Sequence, residues 1–179
     1  MKLNTVKLLA VIGTVALAGS VNADTAIYRD DKLMIPSGAV ITASGQFYYK
    51  DIVLQADANG RLRVLAASPR PLVYIDSVNA TVVETQDVRS VEIAIAGNKS
   101  VPCVSLEEVA VSRKDAVFTV LVAETVMGPA ESCIAMVSPF DINVPLDVTG
   151  LPAGTYKVVV NGKEASFVLS KGDARAAGF

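Results

Sequence analysis

The chain has 179 residues, just over half of them apolar, with 16 basic and 18 acidic residues and a formal net charge of −2. This composition argues against a disordered chain, and no Lys/Arg-rich segment is present that could follow the phosphates of a nucleic acid. The chain contains no histidine, which excludes Ser-His-Asp and Cys-His catalysis, His-ligated metal sites and a histidine pH switch.

Residues 1–23 have the three-part layout of a secretory signal peptide. Two lysines precede an apolar run at 8–19, and Val21 and Ala23 stand at −3 and −1 of a cleavage site. The run is shorter than the roughly 20 residues that a membrane-spanning helix needs, so an N-terminal anchor is the weaker interpretation. Cleavage between Ala23 and Asp24 predicts a periplasmic or secreted protein with no stable membrane insertion.

The mature chain is predicted to open with a β extension at 24–71. Pro36-Ser37-Gly38 is typical of a turn between short strands. Two apolar runs, 52–56 and 62–66, flank Asp57–Gly60, and a four-residue connection that ends in Asn-Gly favours a β-hairpin.

An aromatic cluster, Phe47-Tyr48-Tyr49, lies within the extension. One interpretation is packing in the core, and the other is an exposed patch that binds a partner. The prolines in the segment 68–71 cannot lie in a central strand, because proline lacks the backbone donor. We therefore predict a domain boundary there.

Residues 72–170 are predicted to form an antiparallel β-sandwich, followed by a flexible tail at 171–179. Seven or so short apolar strands in about 100 residues are typical of such a fold, and no convincing amphipathic helix follows the signal peptide. The strand at 117–123 is apolar on both faces, which indicates a central position. The predicted strands are 73–85, 91–96, 106–112, 117–123, 133–137, 142–148, 155–160 and 165–169, with turns at 97–100 and 138–139 among those between them.

The last two strands flank Asn161-Gly162, the strongest short hairpin signal in the chain. A type I′ turn needs a positive φ at both central residues, and Asn-Gly supplies it at little cost. This pair predicts an antiparallel hairpin that closes the sandwich.

Cys103 and Cys133 are the only cysteines. In an exported protein a single pair predicts a disulfide, and the absence of both histidine and a Cys-x-x-Cys spacing argues against a metal or redox site. The loop that this bond would close spans about 30 residues, which corresponds to roughly 3–4 kcal/mol of stabilisation in the chain-entropy description.

Leu151-Pro152-Ala153-Gly154-Thr155-Tyr156 resembles the Leu-x-x-Gly-x-Tyr corner of immunoglobulin-like and fibronectin-III-like domains. The resemblance implies that the Tyr156 hydroxyl bonds back to the nearby backbone, with Leu151 as its buried partner. The run from Val91 to Leu169 is similar to an immunoglobulin-like module of exported bacterial proteins whose function is unassigned. The chain departs from antibody domains in having no tryptophan, and the resemblance implies no catalytic residue.

Carboxylates offer the remaining route to chemistry, and their spacing does not favour it. Glu107 and Glu108 are adjacent, so on a strand they face opposite sides. Asp141, Asn143 and Asp147 could offer oxygen ligands to Ca²⁺, but their span is too extended for one ion without help from another loop. We predict no metal, no cofactor and no enzymatic activity.

The sequence therefore favours an exported, non-catalytic binding protein whose partner is another envelope or extracellular protein. Two alternatives remain open. One is a periplasmic inhibitor of a lysozyme or protease that inserts a rigid loop, for which Gly97–Pro102 and Thr125–Ser132 are the candidates. The other is a pilus-like or surface-layer structural subunit. Nucleic acid is not an expected partner.

Overall fold

A computed structural model describes residues 26–42, 44–84 and 89–170. The predicted signal peptide, the cleavage site at Ala23-Asp24, the predicted tail and Thr85 lie outside the described residues. The regular structure within these ranges is entirely β, which confirms the all-β class. The strands are β1 Ile27–Arg29, β2 Lys32–Thr42, β3 Gly45–Ala56, β4 Leu62–Arg70, β5 Tyr74–Glu84, β6 Arg89–Lys99, β7 Ala110–Lys114, β8 Val117–Leu121, β9 Ser138–Leu146, β10 Gly154–Val160 and β11 Lys163–Leu169.

The strands β1 to β4 form one antiparallel sheet in chain order, which we call the N-terminal sheet. The β1–β2 connection is a two-residue turn in which Asp30 and Asp31 have φ of 51° and 58°. Aspartate tolerates this left-handed conformation better than most residues, and positive φ at both central positions matches the strand twist.

The predicted turn at Pro36-Ser37-Gly38 is wrong, because β2 runs straight through it. The register pairs Ile35 with Ile52 and Ser37 with Lys50, which places Pro36 opposite Asp51. Asp51 is itself left-handed, with φ of 52°, and the β3–β4 register shifts just after Lys50. The ladder is therefore irregular at this point, and a proline without a backbone donor is tolerated there.

The predicted hairpin around Asp57–Gly60 joins β3 to β4. Asp57 Oδ1 accepts hydrogen bonds from the backbone nitrogens of Asn59 at 2.8 Å and Arg61 at 3.0 Å. Pro69, from the segment 68–71, lies within β4. β4 is at the edge of its sheet, where a missing backbone donor costs little.

The later strands form two sheets, β11-β10-β8-β7 and β5-β6-β9, which pack on each other as a β-sandwich. β8 is central, as its two apolar faces predict. Its pairing with β10 is parallel, whereas the other strand pairings described are antiparallel. A parallel pair needs a crossover, and here the chain passes through β9 in the opposite sheet. The buried core consists of Val73, Ile75, Val91, Ile93, Ile95, Phe118, Val120, Val122, Val144, Leu146, Val148, Tyr156, Val158, Val160, Phe167 and Leu169.

Several predicted boundaries in the sandwich are wrong. No strand covers Cys133–Val137, and β9 instead begins at the predicted turn Ser138-Pro139. β6 continues through Gly97 into the predicted turn at 97–100. A Cβ at Gly97 would collide with the Tyr74 carbonyl oxygen and lie 2.9 Å from the Phe140 ring. Gly97 is thus in the strand because two neighbours approach its backbone closely.

The closing hairpin is fixed by Asn161. Asn161 and Gly162 have φ of 45° and 90°, the geometry of a type I′ turn. The Asn161 amide donates to the carbonyl oxygens of Val73 at 2.9 Å and Val122 at 2.7 Å, and its Oδ1 accepts from the Val122 nitrogen at 3.0 Å. One turn residue therefore ties the hairpin to the end of β8 and to the segment that enters β5.

Tyr156 and its surroundings have the corner arrangement that the resemblance implies. The Tyr156 hydroxyl donates to the Pro152 carbonyl at 2.9 Å, and its ring is buried. Leu151 is partly buried against the core, and Gly154 begins β10 at an exposed position. The corner is a structural feature that holds the loop before β10.

Candidate functional site

A groove of about 340 Å³ opens at one end of the sandwich. Its sides come from the segment that enters β5, from the end of β6, and from the two ends of the long connection between β8 and β9. We call it the end groove. It is lined by Leu72, Val73, Tyr74, Asn98, Lys99, Ser100, Glu124 and Val137.

The wall of the end groove is built by backbone pairing beyond the named strands. The Val73 nitrogen donates to the Val122 carbonyl at 3.1 Å, and the Glu124 nitrogen donates to the Pro71 carbonyl at 2.9 Å. A further bridge joins Leu72 to Ala123. The apolar run that forms β8 thus continues as a paired segment and carries Glu124 into the groove.

Glu124 is the buried charged side chain of the described residues, with 4% of its surface exposed. Its Oε2 accepts a hydrogen bond from the Ser100 nitrogen at 2.9 Å, which compensates part of the cost of burying a carboxylate. Next to it, Lys99 Nζ donates to the Val104 carbonyl at 2.6 Å. Sequence reasoning missed Glu124, because a single glutamate after an apolar strand carries no motif.

The predicted disulfide is formed between Cys103 and Cys133, with an S–S distance of 2.03 Å. It joins the turn after β6 to the long connection between β8 and β9. Ser105 and Thr125 reinforce this link between the two loops. The Ser105 nitrogen donates to Thr125 Oγ1 at 3.1 Å, and the Thr125 nitrogen donates to the Ser105 carbonyl oxygen at 2.9 Å. The structure therefore brings together the two loops predicted as candidates, Gly97–Pro102 and Thr125–Ser132.

Beside the end groove, the disulfide-tied connection presents apolar side chains to solvent. Ile134, Met136 and Val137 are each more than half exposed, and so is Val126 at the other end of the connection. Tyr74 on the facing wall is 68% exposed. An apolar rim around a groove, held by a covalent bond, is a common feature of protein-binding surfaces.

The predicted aromatic patch Phe47-Tyr48-Tyr49 does not exist as one surface. Tyr48 is 1% exposed and packs with Leu121 and Ala123 of the sandwich, so the exposed interpretation is wrong for this residue. Phe47, which pairs with Val40, points to the opposite face and is 43% exposed. Tyr49 shares that face and is half-buried. Alternation along β3 therefore separates Tyr48 from Phe47 and Tyr49.

Charged groups join the N-terminal sheet to the sandwich around Tyr48. Glu107 Oε1 accepts a hydrogen bond from Arg70 Nε at 2.7 Å, and its Oε2 lies 3.8 Å from Lys50 Nζ. The Tyr48 hydroxyl is buried without a hydrogen bond to any described residue. Burial raises the pKa of Tyr48. We call this contact the junction.

The carboxylates considered for catalysis or metal binding remain separate. In the described ranges, no three His, Cys, Asp or Glu side chains gather as a metal site would need. The Asp147 carboxylate caps its own loop, because its Oδ1 accepts from the Thr149 nitrogen at 2.9 Å. That hydrogen bond, followed by one from the Thr149 hydroxyl, lowers the pKa of Asp147. Asp141 is exposed on the outer side of β9.

Comparison with known proteins gives a family match for the sandwich. Among the described residues, no helix is long and apolar enough to cross a membrane. Neither a curated protein nor a solved structure matches the chain at a significant level. Residues 93–169, from β6 to the end of β11, match the family model described as the ORF11 beta-sandwich domain, so this part of the chain is a β-sandwich module.

Proposed function

We propose that this protein is an exported, non-catalytic binding module that engages another envelope or extracellular protein through the disulfide-tied connection and the end groove. The observation that carries the proposal is the apolar rim formed by Ile134, Met136 and Val137. These side chains are exposed although the core of the same domain is closely packed, and exposed apolar groups around a groove favour contact with a partner.

The way in which the rim is held supports binding with little loss of entropy. The disulfide and the paired contacts of Ser105 and Thr125 restrain the connection from both sides. The Gly128 nitrogen also donates to Glu131 Oε2 at 2.8 Å, which closes a tight turn within it. A loop that is ordered before binding has less conformational freedom to lose on association.

The chemistry of the side chains supports the non-catalytic part of the proposal. The chain has no histidine, and the buried carboxylate of Glu124 is engaged by the Ser100 nitrogen. Glu124 ties the loop after β6 to the wall of the groove.

The rim can be tested by capture from envelope extract with matched variants. The double variant Ile134→Ser/Met136→Ser removes two exposed apolar groups, and Val168→Ser removes a similarly exposed one from β11 as the control. We expect the partner captured by the wild type and by Val168→Ser to fall roughly tenfold or more with the double variant, because interface energy concentrates in a few apolar anchors. Equal capture by all three proteins would contradict the proposal.

The rigid loop also favours the more specific alternative of a hydrolase inhibitor, since such inhibitors present a preformed loop to an active-site cleft. Purified protein would then inhibit one member of a panel of lysozymes and extracytoplasmic proteases. The same double variant should lose that inhibition, whereas Val168→Ser should keep it. A panel in which no enzyme responds at micromolar protein would remove the inhibitor alternative and leave the binding proposal in place.

A further inference from the structure

The N-terminal sheet has an edge that the chain leaves unpaired. β1 pairs only with Lys32, Leu33 and Met34 of β2. From Ile35 to Thr42, β2 has β3 on one side and no described strand on the other. An unpaired row of backbone donors and acceptors is a template for another strand.

Three of the other edge strands, β4, β7 and β9, carry features that discourage pairing. β4 contains a register irregularity, the charged Arg63 and Pro69. β7 ends in Arg113 and Lys114. β9 has a proline near each end. Charges, prolines and bulges of this kind are the usual protection of an exposed edge.

The segment Gly38–Thr42 has none of this protection. Its sequence, Gly-Ala-Val-Ile-Thr, contains no charge and no proline, and the residues from Ala39 onward are exposed. β-branched side chains at Val40, Ile41 and Thr42 favour an extended conformation. The contrast with the edges of β4, β7 and β9 indicates an edge that is kept open for pairing.

With cleavage after Ala23, as predicted, the N-terminus would be too short to cover this segment by extending β1. In the β1–β2 register, Ile27 lies opposite Met34 and each earlier residue lies one position further along β2. If β1 were extended in this register, a chain that began at Asp24, as the predicted cleavage implies, would reach no further than Ser37. Gly38–Thr42 would therefore stay open in the mature protein.

We propose that Gly38–Thr42 pairs antiparallel with the same segment of a second copy of this chain. In an antiparallel ladder, the backbone groups of two opposite residues either both face the partner strand or both face away from it. Neighbouring residues alternate in this respect, so in a strand that pairs with its own copy one residue must lie opposite itself. The centre of the open segment is Val40. Val40 then lies opposite its own copy, Ala39 opposite Ile41, and Gly38 opposite Thr42.

A second copy fits this edge because the segment is complementary to itself. No charged side chain lies opposite a like charge in this register. Pairing of β4 with its own copy would instead bring the positive charges of two Arg63 side chains towards each other. The two-fold arrangement is closed, so it joins two N-terminal sheets into one eight-stranded sheet and stops at a dimer. The dimer surface lies on β2 and differs from the rim proposed to bind a partner.

Charge substitution at Val40 tests the proposal. Val40→Lys and Val40→Glu each place like charges opposite each other at the two-fold axis, while an equimolar mixture of the two variants places opposite charges there. We expect sedimentation to show a dimer for the wild type, a monomer for each variant alone, and a dimer again for the mixture. Val64→Lys, at an exposed position on β4 of the same sheet, is the control and should remain dimeric.

Three outcomes would overturn the proposal. The wild type could remain a monomer up to high micromolar concentration, in which case a strand from another protein would be the occupant left to consider. Val40→Lys alone could remain dimeric, which would place the contact elsewhere. The mixture could fail to restore the dimer, which would show that Val40 does not lie opposite its own copy.

Discussion

In the sandwich, β6 buries Val91, Ile93 and Ile95 completely, whereas in the N-terminal sheet β4 leaves Leu62, Val64 and Leu65 more than half exposed. Both regions consist of antiparallel strands rich in apolar residues. The sandwich has two layers, and each sheet covers the inner face of the other. The N-terminal sheet is a single layer that meets the sandwich around Tyr48.

The difference shows that strand pairing and apolar burial are separate requirements. Strand pairing is nearly as extensive in β2–β3 as in β5–β6, with one irregularity in each ladder. A sheet is stable when a second layer or a partner covers its apolar face. The sandwich meets this requirement within one chain, while the N-terminal sheet leaves an apolar surface and an open edge. The two proposals assign one partner to each region.

Removing a large side chain should give the largest difference in stability between the sandwich core and the N-terminal sheet. Phe118 lies in the core, with its ring centre 5.9 Å from that of Phe167 and 6.2 Å from that of Tyr156. We expect Phe118→Ala to lower the free energy of unfolding by about 3–5 kcal/mol, and Phe47→Ala on the outer face of the N-terminal sheet to lower it by less than about 1 kcal/mol. Urea denaturation measures both, and equal losses would contradict the comparison.

The disulfide should matter for the sandwich and not for the N-terminal sheet. Replacing Cys103 and Cys133 together by serine opens a loop with a sequence separation of 30 residues, which should cost about 3–4 kcal/mol in the chain-entropy description. Amide exchange should increase along the β8–β9 connection and stay unchanged in β2 and β3. Faster exchange throughout both regions would show that the two are not separable.

The junction should respond to loss of the charge on Glu107. Glu107→Gln leaves the partly buried Arg70 and Lys50 without their carboxylate, which should lower the free energy of unfolding by about 1–3 kcal/mol. The neighbouring Glu108→Gln is the matched control, because Glu108 forms no ion pair with Arg70 or Lys50 among the described contacts. A loss confined to exchange protection around Tyr48 would place the effect at the junction, and equal effects of the two variants would contradict the role of Glu107.

The smallest change is expected for Tyr48→Phe, which removes a buried hydroxyl that has no hydrogen-bond partner among the described residues. At neutral pH the variant should be as stable as the wild type or slightly more stable. The pKa of Tyr48 is raised from 10.0 by burial, so above about pH 10 the unfolded chain ionises first and stability falls as pH rises. Tyr48→Phe should lose less stability than the wild type between neutral and strongly alkaline pH. An equal alkaline loss would exclude this contribution.

Much of the sandwich follows from local sequence signals. Asn161-Gly162 defines its turn because few other residue pairs accept two positive φ values, and the apolar faces of residues 117–123 place β8 in the centre of a sheet. The all-β class follows from alternation together with the absence of helical periodicity. These features depend on neighbouring residues, so the sequence alone contains them.

The features that the sequence did not predict depend on distant contacts. Pro36 is tolerated within a strand because Asp51 opposite it has a left-handed backbone that interrupts the ladder. Gly97 is required within a strand because Tyr74 and Phe140 approach its backbone closely. Glu124 enters the groove through pairing with Pro71. The aromatic cluster was predicted as a unit, but alternation buries Tyr48 in the junction and exposes Phe47. None of these positions carries a local signal of its partner.

Amide hydrogen exchange of the mature protein, compared with Val40→Lys at the same concentration, tests most directly whether the N-terminal sheet is completed by a partner and the sandwich is not. We predict that the amides of Gly38–Thr42 that face away from β3 are protected in the wild type and exchange freely in the variant, while β6, β8 and β10 are protected equally in both. Free exchange of these outward-facing amides in the wild type, or loss of protection in the sandwich of a folded variant, would contradict this prediction.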